Sequence, residues 1–387
     1  MVISVKLAQT IRRYNKKKLE KDILAGIIIM AVSIPISMGY AQIAGLPAVY
    51  GLYGSVFPIL VFAIFSTSPQ FIFGVDAAPA ALIGSALVSL GIESGSSQAM
   101  AAVQTLTFFV ALWLLAFYVM KAGKLVNYIS APVMGGFITG ICTTIILMQV
   151  PKLMGGTAGT GEFFELAEHI IKTAAVINLP SVLMGLVALA ILLICKKAAP
   201  KFPMAVVLMA AGAIMTKFLP VEEWGIQTLA SVEPGLPGWS LPDFTAVPIQ
   251  DAVTISLSVA VVIMAETLLA ENSFAQKNGY RINDNQEILA FFMGNLAAAL
   301  TGCCPMNGSV SRTAMGEQYQ AKTQLTGIVA GLYMIVLLLC ATGFIGYLPI
   351  PVLTAIVISA LLGATEFELA VRLWKVSRTE WVCCISH

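Results

Sequence analysis

Residues 302–314 read GCCPMNGSVSRTA, and they sit between two long apolar stretches, EILAFFMGNLAAALT at 287–301 and LTGIVAGLYMIVLLLCATGFIGYL at 325–348. A proline, two glycines, three small hydroxyl residues and one arginine are packed into this short run. On a soluble protein it would be an ordinary surface loop. The surrounding composition argues against that.

Of the 387 residues, 58% are hydrophobic and only 11% are charged, where a soluble domain carries about 25% charged residues. Mean hydropathy is +0.88. Apolar runs long enough to cross a bilayer recur, among them ILAGIIIMAVSIPISMGYAQIAGL, VQTLTFFVALWLLAFYVM, PSVLMGLVALAILLIC and AVTISLSVAVVIMA. None alternates in polarity as barrel strands do. The chain reads as an all-α polytopic membrane protein. The basic start MVISVKLAQTIRRYNKKKLEKD leads straight into a full-length span, which predicts a retained first helix in place of a cleaved signal peptide. Seven cysteines, mostly in apolar segments and with neither a metal-binding spacing nor a disulfide framework, read as small core residues or free thiols.

Spans are expected near 23–43, 48–66, 76–90 (short), 100–120, 128–150, 179–195 and 203–219. A second series is expected near 249–271, 286–302, 309–322 (short), 324–345 and 350–364. The domains follow: a cytoplasmic basic tail at 1–22, a first repeat of seven spans at 23–219, an extracytoplasmic acidic loop at 220–247, and a second repeat of five spans at 248–387. With the tail inside, seventeen Lys and Arg residues fall on the inner side and Lys152, Lys172 and Lys217 on the outer. The positive-inside rule therefore predicts a multi-pass protein of the cytoplasmic (inner) membrane with its N-terminus cytoplasmic. Seven spans invert the second series relative to the first. Each series has a short third element with Gly/Pro punctuation, FGVDAAPAALIG and CCPMNGSVSRTAMG. Such paired broken segments are the best sequence pointer to a transporter's midplane site; two unrelated kinks are the alternative.

Irregular backbone at membrane depth survives only against protein or a water-filled cavity. Two half-helices starting there would turn unpaired N–H groups and positive dipole ends toward one cavity, making an anion receptor. The second half-helix would begin at Ser309, Val310, Ser311 and Arg312. A charge at the bilayer centre costs about 2.5–3.5 kcal/mol on insertion scales, so Arg312 needs a cavity, a partner or a route to the headgroups. Glu266 lies inside a span, and it either titrates or binds a moving cation, or it neutralises Arg312. Asp76 suits a helix start but would repel an anion, unless it carries a proton and takes part in coupling; a plain cap is the alternative. Glu271 reads as interfacial, and His169 as part of an outer amphipathic helix in GEFFELAEHIIKTAAVI. Asn307-Gly-Ser309 matches the glycosylation pattern by chance expectation, and Gly136 with Gly140 forms a weak packing signal. There is no P-loop, HExxH or dinucleotide fingerprint, so no catalytic residue, metal site, cofactor or nucleic-acid partner is expected.

Two long stretches carry a family resemblance. DILAGIIIMAVSIPISMGYAQIAGLPAVYGLYGSVFPIL and FAQKNGYRINDNQEILAFFMGNLAAALTGCCPMNGSVSRTAMGEQYQAKTQLTGIVAGL resemble the SulP (SLC26) anion transporters, and the resemblance extends over essentially the whole chain. It implies an inverted-repeat fold of seven plus seven transmembrane segments, with gate and core domains, an elevator-type movement and a homodimer. It implies an anion held between the third and tenth half-helices. Ser311 and Arg312 fall on the family's SR pair and Tyr40 on its first-helix aromatic. Asp76, Ala77 and Ala78 fall on the third-helix start, and Glu266 on the eighth-helix acid associated with coupling to H+ or Na+. Ile36 replaces the polar residue usual after the first-helix proline. The family also continues past LWKVSRTEW with two more spans and a STAS domain, whereas this sequence stops at VCCISH, which reads as a truncation. The expected function is secondary active transport of a small anion, with sulfate first and bicarbonate, chloride or a dicarboxylate as alternatives. A nucleobase transporter of the same fold and a non-transporting scaffold, sensor or inactive product are the other readings.

Overall fold

The computed structural model describes residues 16–124, 131–157, 159, 163–199, 202–340 and 342–362. The first part of the basic tail, the basic residues after 362, and Cys383 and Cys384 lie outside them. Fourteen α-helices and one two-stranded sheet account for most of the described chain. Four helices are long and apolar enough to cross a membrane by length and composition: α1 (Lys16–Ile43), α5 (Ser97–Val119), α8 (Leu179–Ala198) and α10 (Ile249–Asn278). An all-helical span keeps every amide paired within its own segment, the requirement hydrocarbon imposes.

The described residues fall into two compact units, each drawing on both halves of the sequence. Residues up to 138 and 236–334 form the first; 139–235 and 335–362 form the second. In the first unit, α1 is followed by α2 (Val49–Gly54), α3 (Phe57–Phe65), β1 (Phe73–Gly74) and α4 (Ala77–Ser89), then by α5. The single span expected at 48–66 is thus two short helices. The break falls at Ser55–Val56, just before Pro58, which sits in the first turn of α3 where a missing amide is tolerated. After α10 come α11 (Asp284–Leu300), β2 (Asn307–Gly308) and α12 (Val310–Gln318).

Packing fixes β1 firmly. Its Phe73 forms a three-ring cluster with Phe62 of α3 (centroids 4.7 Å apart) and Phe291 of α11 (6.0 Å), which are 6.2 Å from each other. Gly294 is close enough to Phe73 that any side chain there would meet the ring. The loop before β1 is clipped to the start of α11 by Glu287, which is fully buried. Its Oε2 accepts from Ser66 Oγ (2.8 Å), while its Oε1 accepts from the Thr67 and Ser68 amides and from Thr67 Oγ1. A second buried acid, Asp22 of α1, accepts from the Lys322 amide (2.6 Å), from Thr323 Oγ1 (2.6 Å) and from Thr326 Oγ1 (3.2 Å), just ahead of and within the first turn of α13 (Leu325–Cys340). Charged hydrogen bonds contribute about 1.5–3 kcal/mol each way, and a buried donor left alone costs further. Asp22→Ala is therefore expected to lower the detergent-solubilised protein's stability by about 3 kcal/mol, read as an earlier loss of monodispersity on heating, whereas Asp22→Asn loses less.

In the second unit, α8 packs on α14 (Ile350–Leu361), and α9 (Met204–Phe218) packs on α14 and on the 3-10 turn Thr342–Tyr347. Asn178 caps α8 by accepting from the Ser181 amide (2.8 Å) and donates to Trp224 O (2.9 Å). The span expected to 345 ends as α-helix at Cys340. Helix α6 (Ala131–Leu153) contributes residues to both units, as α13 does. His169 lies on α7 (Phe163–Ala174), the amphipathic helix expected around it, whose exposed Lys172 and Glu168 pair at 2.6 Å and hold the Glu168 carboxyl below its usual range. In the acidic loop, the Thr245 hydroxyl and amide do the same for Asp243. Cys195, Cys303, Cys304 and Cys340 are free thiols.

Candidate functional site

The stretch 302–314 is a broken helix. After α11 ends at Leu300, the chain turns through Gly302 at φ +73°, runs extended as β2, and starts α12 at Val310. Strand β2 pairs antiparallel with β1, Phe73 opposite Gly308 and Gly74 opposite Asn307. Because paired strands run in opposite directions, the helices that follow leave from opposite ends, each with its N-terminus next to the pair. The two short elements read from sequence are therefore joined at their starts.

Free backbone donors at these starts are unequal. A helix leaves its first N–H groups without intrahelical partners. In α4 the Ala77 amide is taken by Asp76 Oδ1 (2.8 Å) and Pro79 has no amide, so Ala78 supplies the one free donor. In α12 the first intrahelical bond runs from Thr313 to Ser309 O (3.0 Å), leaving Val310, Ser311 and Arg312. Ser309 stands at the cap position without capping; its hydroxyl meets Ser311 Oγ at 3.2 Å and lies in bonding reach of Asp76.

Among the described residues Arg312 is the largest fully buried side chain, 1% exposed. Its guanidinium donates to Ser37 Oγ of α1 (3.3 Å) and to the Val75 carbonyl, and it lies across Gly74, where a Cβ would collide with it. Its Nε is buried with no acceptor. Asp76, Tyr40 and Arg312 act on one another electrostatically, and all three are buried. Glu266 does not pair with Arg312. Its carboxylate accepts from Asn307 Nδ2 of β2 (2.9 Å), and the next residue, Thr267, accepts from the Gly308 amide (3.0 Å). The ion pairs Lys172–Glu168 and Lys277–Glu317 leave Arg312 out. A buried guanidinium without a carboxylate partner costs several kcal/mol unless an anion completes it.

The sequence-derived set is thus brought together: Tyr40, Asp76, Ala77, Ala78, Ser309, Val310, Ser311, Arg312 and Glu266 surround the strand pair. Ser37, Gly74 and Asn307 were missed. Ser37 had a signal, since Ser37 and Tyr40 are three apart in α1 and share a face. Gly74 had none beyond its place before a helix start. Glu271, read as interfacial, is fully buried within the first unit. The turn of α10 that carries it packs on α11, which periodicity alone does not reveal. Among the described residues no cluster of three His, Cys, Asp or Glu could hold a metal ion.

Residues 19–387 match the sulfate permease family. A probable sulfate transporter of Mycobacterium tuberculosis is 27% identical over 375 residues, which cover 97% of this chain and 67% of that protein. The chain spans about 54–67% of the length of the curated relatives to which it is similar. Among solved structures, the overall structure of SLC26A9 superposes with a TM-score of 0.78 at 21% identity, over 98% of this chain and 62% of that one. The transmembrane domain of a cyanobacterium bicarbonate transporter, BicA, gives 0.74 at 21% identity, over 96% and 95% respectively. These likenesses show a shared membrane-domain fold. With that fold and a match over nearly the whole sequence, the chain belongs to the sulfate permease family.

Proposed function

We propose that this protein moves a small anion, sulfate first, across a membrane, holding it at the strand pair between the starts of α4 and α12. The observation that carries this reading is the buried Arg312, which has a free Nε donor and no carboxylate partner, beside the free amides of α12. An oxyanion accepting from several amides and a guanidinium replaces its hydration shell with charge-assisted bonds. Asp76 opposes that charge, and a proton on it relieves the conflict. Sulfate is preferred because relatives carry that name; the likeness in fold to a bicarbonate transporter keeps bicarbonate as a competitor to be tested. The orientation proposed is N-terminus cytoplasmic in the inner membrane, and the assembly a homodimer.

The test is uptake of labelled sulfate into proteoliposomes, with excess bicarbonate, chloride or a C4-dicarboxylate as competitor. Sulfate uptake above that of empty vesicles supports the reading. No uptake of any of these anions, and no stabilisation of the protein by them, turns it toward a non-transporting membrane protein. Glu266 is proposed to carry the coupling cation, H+ or Na+, since its carboxylate is tied through Asn307 to β2. Glu266→Gln is expected to cut gradient-driven uptake about tenfold, equivalent to ~1.4 kcal/mol, while sulfate exchange at equilibrium continues. Equal losses in both assays would assign Glu266 to anion binding instead.

A further inference from the structure

Glu271 lies one and a half turns beyond Glu266 on α10 and takes no part in the site. It is fully buried, and neither carboxylate oxygen has a hydrogen-bond donor. Across the α10–α11 contact, which Asn272 and Asp284 bridge at 2.8 Å, its interacting polar neighbour is another fully buried acid, Glu287. Glu287 is already provided for as an anion. Its Oε1 accepts three bonds from the 67–68 segment and its Oε2 only one, from Ser66, so Oε2 has capacity for one more donor.

Among the described residues no cation pairs with either acid. The other groups acting on Glu271 and Glu287 are Asp284 at the start of α11, which holds Asn272 Nδ2 at 2.8 Å, and Tyr280, whose hydroxyl faces Ser68. Lys277 is engaged with Glu317 of α12 at 2.9 Å. Two buried carboxylates facing each other cannot both ionise. We propose that Glu271 and Glu287 form a proton-binding site separate from the anion site, in which Glu271 keeps a proton and donates it to Glu287 Oε2. The proton matters to the fold because Glu287 is the clip for the loop that enters β1. Releasing it would set two charges against each other at that clip.

The inference stands independently of which anion is carried. Its test is infrared spectroscopy of the whole purified protein at neutral pH, reading the C=O stretch of protonated carboxyl groups. A band is expected in the wild type, persisting in Glu266→Gln and Asp76→Asn and lost in Glu271→Gln. Glu271→Leu, which fills the site without a polar group, provides the same readout should the amide variant not fold. Stability gives a second readout. A proton kept only by the folded state lowers the folding equilibrium constant about tenfold per pH unit as pH rises above the unfolded glutamate's range. The variant's stability is expected to fall with pH more shallowly than the wild type's by that one proton. Absence of the band from the wild type, or an unchanged band and slope in the Glu271 variants, overturns the proposal.

Discussion

Arg312→Gln is expected to abolish detectable sulfate binding while the protein still purifies as a folded species. The substitution removes the positive charge and the terminal guanidinium nitrogens, one of which bonds Ser37. Hydrogen bonds to charged groups contribute about 1.5–3 kcal/mol, so the loss is about ten- to a hundredfold in affinity from one such bond alone. The field of the buried charge adds to that. A Gln amide nitrogen ends where Nε stood, two bonds short of the guanidinium nitrogen that bonds the Val75 carbonyl, so that bond is lost as well. Thermal stabilisation by added sulfate, measured in detergent, checks the result without any need for transport. Unchanged stabilisation in Arg312→Gln would remove Arg312 from the anion site. Arg312→Lys is the informative companion: it keeps the charge but loses the planar fork, and an intermediate affinity is expected.

Gly51→Ala is expected to be among the most damaging single-methyl changes in the first unit. Gly51 of α2 rests against the main chain of α1, and a Cβ there would overlap the Ser37 carbonyl and come within 2.9 Å of the Met38 amide nitrogen. A side-chain obstacle could rotate away; a helix backbone cannot. Overpacking of this kind costs about 1–3 kcal/mol and sometimes more, and here the displaced residue is the one that receives Arg312. Two losses are therefore expected together, a lower unfolding temperature and weaker sulfate binding. Gly238→Ala, where a Cβ meets nothing within 4 Å, is the matched control and should change neither. If Gly51→Ala behaved like the control, α2 would not be seated on α1 as described.

Much of this was legible from the chain alone because hydrocarbon allows so few arrangements. Long apolar runs marked α1, α5, α8 and α10, and Gly/Pro punctuation at 74–79 and 302–308 marked the two half-helices. Arg312 announced itself as a charge where charge is expensive. What stayed hidden depends on partners distant in sequence. Ser37 reaches Arg312 across 275 residues and Glu287 reaches Thr67 across 220, and no local pattern encodes either. The break at Ser55–Val56 was missed because the run 48–66 is apolar throughout, and hydropathy does not register a change of direction. The burial of Glu271 stayed hidden for a related reason: its depth along α10 was read, but the helix packed beside it was not visible. That Glu266 bonds Asn307 and does not neutralise Arg312 was also out of reach. It turns on Asn307, a residue that in sequence looked like a chance tripeptide.

The two-residue strand pair carries a mechanical consequence. Phe73–Gly74 and Asn307–Gly308 rivet the roots of two helices that leave in opposite directions. A ligand lodged at those roots cannot be let go by spreading the helices like jaws, because the rivet would have to shear first. Any release of an anion held there would then require the pair to move as one piece. On the function proposed above, a cradle of fixed shape would grip an anion equally on both sides of a membrane.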